Sequence, residues 1–210
     1  MYGRYVKRIL DIVLTLLVAP FAALLTFSFA LAVIIEDGSP AFYNAVRVGR
    51  GGKEFIMYKL RSMRNNSPDL RTADGATYNA ADDPRTTKVG KLLRRSSVDE
   101  LPQLLNVFKG QMSLIGPRPD LPDEAERYTE AERRRLEVRP GITGYSQVYG
   151  RNSITYAQKY RQDVYYVDNL SFELDAKVFF KTISAVLGAK GVYVADDTTG
   201  ELVARGRNEG

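Results

Sequence analysis

The run from Ile9 to Ile35, ILDIVLTLLVAPFAALLTFSFALAVII, decides the architecture of this chain. It is about 27 residues of apolar sequence, long enough to enter a bilayer, broken only by Asp11 and small polar groups such as Thr15, Thr26 and Ser28. As one straight helix it measures about 40 Å, against a hydrocarbon core of about 30 Å. A signal-peptide core runs only about 7–15 residues. A helix that is apolar all round belongs either in a large core or in lipid. The segment predicts membrane insertion.

Its topology is open on the residues alone. Arg4, Lys7 and Arg8 precede the run and Arg47, Arg50 and Lys53 follow it, so the positive charge discriminates weakly between its two ends. Pro20, near the middle, removes one intrahelical hydrogen bond and favours a kink. Two arms of roughly 12–15 residues, hinged at Ala19-Pro20, would reach part of the way across and return on the same face. A kinked but complete span is the other reading.

Beyond Pro40 the pattern is that of a soluble domain. Ala41 to Val48 and Phe55 to Leu60 read as two strands around the turn Gly49-Arg50-Gly51-Gly52. Asn65 to Arg85 is polar and reads as a surface loop, followed by helices over Lys88 to Arg95 and Ser97 to Phe108. Pro122 to Arg139 is charged almost all round and predicts one solvated helix. Tyr156 to Val167 has helical spacing. Ala176 to Leu187 places Ala176, Phe179, Phe180, Ile183 and Leu187 on one face beside Lys177 and Lys181, a pattern that suits a membrane surface or an ordinary core helix. The expected fold is α/β, mostly helical with a short β-hairpin. Its parts are a membrane segment over 1–38, a domain over 39–190 and a polar tail over 191–210.

Composition narrows the chemistry. An apolar fraction of 44% with 26% charged residues is that of a globular protein. There is no cysteine, so disulfides, thiolate metal sites and cysteine nucleophiles are excluded. There is no histidine, so His acid–base catalysis and His-ligated zinc are excluded too. Any catalyst here works with carboxylates, Lys, Tyr, Ser or backbone groups. The formal charge of +5 suits phosphate-bearing partners, although a mildly basic solvated surface has the same composition.

Candidate chemistry is densest between Arg94 and Pro119. Ser96 or Ser97, followed by Asp99, Glu100 and Pro102, reads as a helix start whose first turn carries two acids. Free N–H groups and the helix dipole there stabilise negative charge. In many proteins such acids merely cap. Neighbouring side chains project about 100° apart on a helix, so the two carboxylates have different jobs. Gly116-Pro117-Arg118-Pro119 aims one guanidinium from a stiff loop. Arg139-Pro140-Gly141 and Gly150-Arg151-Asn152 are two more rigid turns with an arginine, and three such turns suggest a phosphate cage. Arginines in proline-stiffened turns do not form the basic stripe with stacking aromatics of a nucleic-acid binder, so no nucleic-acid partner is expected.

These stretches together resemble the bacterial sugar transferases, the monotopic phosphoglycosyl transferases. The likeness is carried by Ser97-Val98-Asp99-Glu100-Leu101-Pro102-Gln103, by Ser113-Leu114-Ile115-Gly116-Pro117-Arg118-Pro119 and by Tyr58-Lys59-Leu60-Arg61-Ser62-Met63. Arg139-Pro140-Gly141-Ile142-Thr143-Gly144, Gln147-Val148, Gly150-Arg151-Asn152 and the Lys7-Arg8 start extend it. It spans roughly residues 4 to 190, the size of the family's minimal catalytic unit. The resemblance implies that Asp99 attacks the sugar-side phosphate of a UDP-sugar, releasing UMP, and that polyprenyl phosphate then takes the phosphosugar from the enzyme. It implies Mg2+ at Asp99 and Glu100, with Glu100 assisting metal binding or the second attack. Phosphate contacts fall to Lys59, Arg94, Arg118 and Arg151, and a nucleotide or sugar contact to Gln147. It implies a re-entrant anchor with both ends on the cytoplasmic face of the bacterial inner membrane. The family often has Ser-Pro at the hinge where this chain has Ala19-Pro20. Alanine has no hydroxyl for the freed carbonyl, which leaves Thr15 or a water to replace it. A noncatalytic, membrane-tethered binder of anionic lipid is the competing reading; it predicts tolerance to replacement of Asp99 or Arg118.

Overall fold

The computed structural model describes residues 2–71, 83–150, 154–187 and 203–205. A π-helical turn, Tyr2–Val6, leads into α1 (Lys7–Asp37), which stays helical through Pro20. Any change of direction at Ala19-Pro20 is therefore a bend within a helix, not two arms joined by unwound chain. A single proline removes one hydrogen bond, and the flanking apolar residues sustain the helix on either side. The Thr15 hydroxyl is buried without a partner among the described residues, so it does not serve the carbonyl that Pro20 frees. α1 stops at Gly38, whose φ of 71° is open to glycine and whose N–H donates to the Ile34 carbonyl at 2.9 Å.

The surface of α1 inverts that of a soluble amphipathic helix. Its buried stripe is Lys7, Asp11, Thr15, Ala22, Ala30 and Val33, polar or mostly small, whereas Leu17, Phe21, Leu24, Phe27 and Ile35 are exposed. The helix is long and apolar enough to cross a membrane, and only 17% of its most apolar window is buried, unlike a soluble core helix. Both of its ends dock on the same body. Near its start, Lys7 Nζ donates to Asp175 Oδ2 at 2.6 Å, and Asp11 Oδ1 accepts from the Ser113 hydroxyl and the Leu114 N–H, each at 3.0 Å. At its end, Ala30 and Val33 pack with Ala41, Leu60 and Leu93, and Arg61 Nη2 donates to the Gly38 carbonyl at 2.6 Å.

The expected hairpin is present. β1 (Phe42–Val48) and β2 (Glu54–Leu60) pair antiparallel, with Tyr43 opposite Lys59 and Arg47 opposite Phe55. Period-2 alternation puts Arg47 and Lys59 on the face that buries Ala45, Phe55 and Met57. Within the stretch expected as loop, β3 (Asp69–Arg71) pairs with backbone near the chain's end. α2 (Lys88–Ser96) starts on Thr87, whose hydroxyl accepts the Gly90 N–H at 2.9 Å. A Cβ at Gly90 would lie 1.9 Å from the Ser62 carbonyl oxygen, so only glycine lets α2 lie directly on the end of β2.

The second half is built from short pieces. α3 (Gln103–Phe108) precedes β4 (Ser113–Ile115), and α4 (Pro122–Glu126) and α5 (Glu130–Arg133) run into a 3-10 turn over Arg134–Glu137. The single charged helix expected over Pro122 to Arg139 is thus divided. Thr129 caps a fresh helix start, and Arg135 is drawn inward to buried carboxylates. β5 (Gly141–Thr143) pairs parallel to β4. A π-helical turn, Ser146–Gly150, α6 (Tyr156–Asp168), α7 (Phe172–Leu187) and β6 (Val203–Arg205), the partner of β3, complete the order. On α7 the face expected to be apolar is outward: Phe179, Phe180 and Ile183 are exposed, while Asp175 and Val178 face inward. The core-helix reading of that face does not hold.

Candidate active site

The loop between α2 and α3 turns on Ser97, a non-glycine residue in the left-handed region at φ 57°. That turn ends α2 and starts a 3-10 turn, Val98–Glu100, which carries the two acids. α3 begins only at Gln103, so the expected helix from Ser97 to Phe108 is shorter and the acids do not sit at its N-terminus. Side-chain cations therefore hold their charge in place of a helix dipole.

Those cations come from distant chain. Lys59, on β2, places Nζ 2.8 Å from Asp99 Oδ2 and 3.6 Å from Glu100 Oε1. Arg118, from the Gly116-Pro117-Arg118-Pro119 loop, places Nη2 2.8 Å from the same Glu100 oxygen. Asp99 is only 2% exposed. Burial pushes its carboxyl above the ordinary aspartate value, with Lys59 pulling it down and Glu100 adding to the rise. Burial also acts against the charged form of Glu100, but Arg118 and Lys59 outweigh it and hold that carboxyl down to about 2. The neighbouring acids are thus differentiated. Glu100 is locked as an anion between two cations, and Asp99 is a desolvated carboxylate with one partner.

Two close backbones place the Arg118 loop. The Gly116 N–H donates to the Thr143 carbonyl and the Gly141 N–H to the Pro117 carbonyl, each at 2.9 Å. A Cβ on Gly141 would fall 2.1 Å from Gly116 N, so side chains are excluded from this crossing.

Other expected site residues have other partners. Arg94 Nε donates to the Ser62 hydroxyl at 3.0 Å, and its charge acts on the buried Asp83. Gln147 lies on the π-helical turn, its amide nitrogen 3.4 Å from the Ile142 carbonyl and its Oε1 buried without a partner among the described residues. Arg139 does not join a common cage: its Nε donates to the Gly110 carbonyl at 2.9 Å, beside Arg8 and Arg50. Arg151 lies outside the described residues.

Two features escaped the sequence reading. Arg47 shares a sheet face with Lys59, and burial and the neighbouring Arg118 guanidinium lower its affinity for a proton. Two guanidinium groups near one another, those of Arg47 and Arg118, suit a ligand with several anionic oxygens. Arg135 is the centre of a buried charge network behind the Arg118 loop. Only the hairpin register could have signalled the first, and no local pattern signals the second.

Among the described residues there is no cluster of three or more acidic, His or Cys side chains able to hold a metal. The dyad offers two carboxylates close to one lysine. That donor set fits Mg2+, which takes one or two carboxylates and completes its shell with phosphate oxygens and water.

The sequence matches the model of the family described as bacterial sugar transferase over residues 2–189. It is 47% identical over 174 residues to the uncharacterized sugar transferase EpsL of Bacillus subtilis, covering 82% of this chain and 83% of that protein. Against the undecaprenyl-phosphate galactose phosphotransferase of Salmonella typhimurium it is 41% identical over 202 residues, 91% of this chain but 42% of the relative's length. Against the exopolysaccharide production protein ExoY of Rhizobium meliloti it is 39% identical over 207 residues, covering 91% and 89% of the two chains.

Proposed function

Because the chain belongs to the bacterial sugar transferase family, we propose that it moves a sugar 1-phosphate from a UDP-sugar to polyprenyl phosphate, with Asp99 as covalent nucleophile. The observation that carries this reading is the buried Asp99 carboxylate, aimed by Lys59 at 2.8 Å, next to a glutamate fixed by Arg118. In the first step an Asp99 oxygen attacks the sugar-side phosphorus. An aspartyl–phosphorus bond forms, and the bond to the bridging oxygen breaks, so that UMP leaves with its electron pair. In the second step a phosphate oxygen of the polyprenyl carrier attacks the same phosphorus, the aspartyl bond breaks, and the Asp99 carboxylate is regenerated. A carboxylate nucleophile needs neither His nor Cys, in accord with the composition.

Lys59 and Arg118 already match the two charges of the dyad, so the incoming diphosphate needs further positive charge. Arg47 is placed to give part of it. A bound Mg2+, held by Asp99 and Glu100, would neutralise phosphate charge as it redistributes. The expected readout is UMP release from one member of a UDP-sugar panel, dependent on polyprenyl phosphate. No release from any member overturns the reading.

We place the protein on the cytoplasmic face of the inner membrane with α1 re-entrant. A helix of 31 residues is about 46 Å long, yet both ends of α1 bond to the same domain. A full crossing would put those ends on opposite sides of about 30 Å of hydrocarbon. Cysteines introduced at positions 2 and 45 of vesicle-embedded protein should be modified from one side only. Modification from opposite sides rejects the re-entrant arrangement.

A further inference from the structure

We propose that Arg135 is a positioning residue, acting through Arg118 and the Ser146–Gly150 turn to hold the phosphate-facing elements in register. The inference rests on the functional reading of the Asp99 site given above. Arg135 is 3% exposed. Its Nη2 donates to the Arg118 carbonyl at 2.9 Å and to Asp163 Oδ2 at 2.6 Å, and its Nη1 pairs with Asp120. Asp120 also accepts from the Tyr128 hydroxyl and from Lys159 Nζ, each at 2.7 Å, while its carbonyl accepts the Val48 N–H at 3.0 Å. Asp163 accepts from the Ser146 hydroxyl at 2.7 Å. One guanidinium is thus bonded directly to the loop that carries Arg118. Through Asp163 it also reaches the turn that carries Gln147.

Charge and geometry distinguish this device from a ligand site. Arg135 and Lys159 are matched by Asp120 and Asp163, which leaves no surplus charge to attract substrate. Buried ion networks of this kind are often no more stabilising than apolar side chains of the same volume. What the planar fork supplies, and a single ammonium does not, is several bonds in fixed directions. Pro117 and Pro119 limit the backbone around Arg118. Fixing the Arg118 carbonyl therefore fixes the root of the side chain that pins Glu100. A misplacement of about 1 Å at such a root is enough to lower turnover roughly 100-fold.

The test is a double-mutant cycle in the full chain, with UMP release as readout. Arg135→Lys keeps the charge and loses the fork; it should lower kcat roughly 10–100-fold with a smaller change in KM. In an Arg118→Lys background the same change should cost less than about twofold, because the two residues act on one route. Effects that multiply independently overturn the proposal. Amide hydrogen exchange supplies a readout without turnover. In Arg135→Lys, exchange should quicken over residues 116–121 and 144–150 and stay unchanged in the β1–β2 hairpin; unchanged exchange in both segments overturns it. Should Arg135→Lys not fold, Ser146→Ala removes only the hydrogen bond from that turn to Asp163, and exchange should quicken over 144–150 only. No change there overturns the link to that turn. If the wild-type chain releases no UMP, the functional reading fails, while the exchange measurement still decides what Arg135 holds.

Discussion

Replacing Asp99 by asparagine should lower UMP release by at least about 10,000-fold and leave the fold intact, as loss of a covalent nucleophile does elsewhere. Asparagine matches aspartate in shape but has no anionic oxygen to form the bond to phosphorus. Lys59 keeps Glu100 as a partner at 3.6 Å, so the change strands no cation. The loss should appear in kcat, with thermal stability close to that of the wild type. A phosphosugar adduct on the wild-type chain, seen by intact mass with UDP-sugar alone, should be missing from Asp99→Asn. Appreciable turnover by that variant would remove Asp99 from the nucleophile's role. The pH profile carries the same assignment. Burial raises the Asp99 carboxyl above its usual value, and only the ionised form attacks. The acid limb of kcat/KM, which reports groups of the free enzyme, should therefore lie at higher pH than an ordinary aspartate gives. Glu100, held down to about 2, stays charged throughout and does not contribute to that limb.

Asp175→Ala should give a large loss of stability, about 3–5 kcal/mol, because it leaves a buried cation without its partner. Asp175 Oδ2 accepts from Lys7 Nζ at 2.6 Å and from the Tyr2 hydroxyl, and Oδ1 accepts from the Tyr166 hydroxyl at 2.6 Å. Tyr166 in turn reaches the Ile115 carbonyl at 3.2 Å, close to the Arg118 loop. One carboxylate therefore joins the start of α1, α7 and β4. Removing it leaves the Lys7 ammonium buried, takes the acceptor of the Tyr2 hydroxyl and leaves Tyr166 only the longer bond to Ile115. For a chain of this size the loss corresponds to a fall in Tm of roughly 6–20 °C. Asp175→Asn keeps an acceptor for the phenols and should fall between the wild type and Asp175→Ala. A shift below about 2 °C for Asp175→Ala would show that the Asp175 bonds do not hold the start of α1 in place.

Much of the candidate site was legible in the sequence. Asp99-Glu100 and Arg118 were marked by their local pattern and Lys59 by the family resemblance, and the structure brings these four together. The hairpin was legible because alternation over β1 and β2 is a two-residue signal. The 3-10 turn was not, because whether Ser97 enters the left-handed region depends on where Leu93 and Leu60 must pack. Pro122 to Arg139 misled for a related reason. Counting charges cannot tell a solvated arginine from one that meets carboxylates brought in from elsewhere along the chain, as Arg135 does.

The apolar run that ends at Ile35 illustrates the same division. By itself the sequence determined that Ile9 to Ile35 is long and apolar enough to enter lipid, because the free energy of transferring apolar side chains adds up along any helix that carries them. It also determined that any catalysis works without His or Cys, because the chain contains neither. Only the tertiary structure decided that Lys7, Asp11, Glu36 and Asp37 tie both ends of that helix to one domain, and that Arg118 meets Glu100. Such pairings join residues far apart in the chain. Their free energy depends on burial and direction, which no local window of sequence contains.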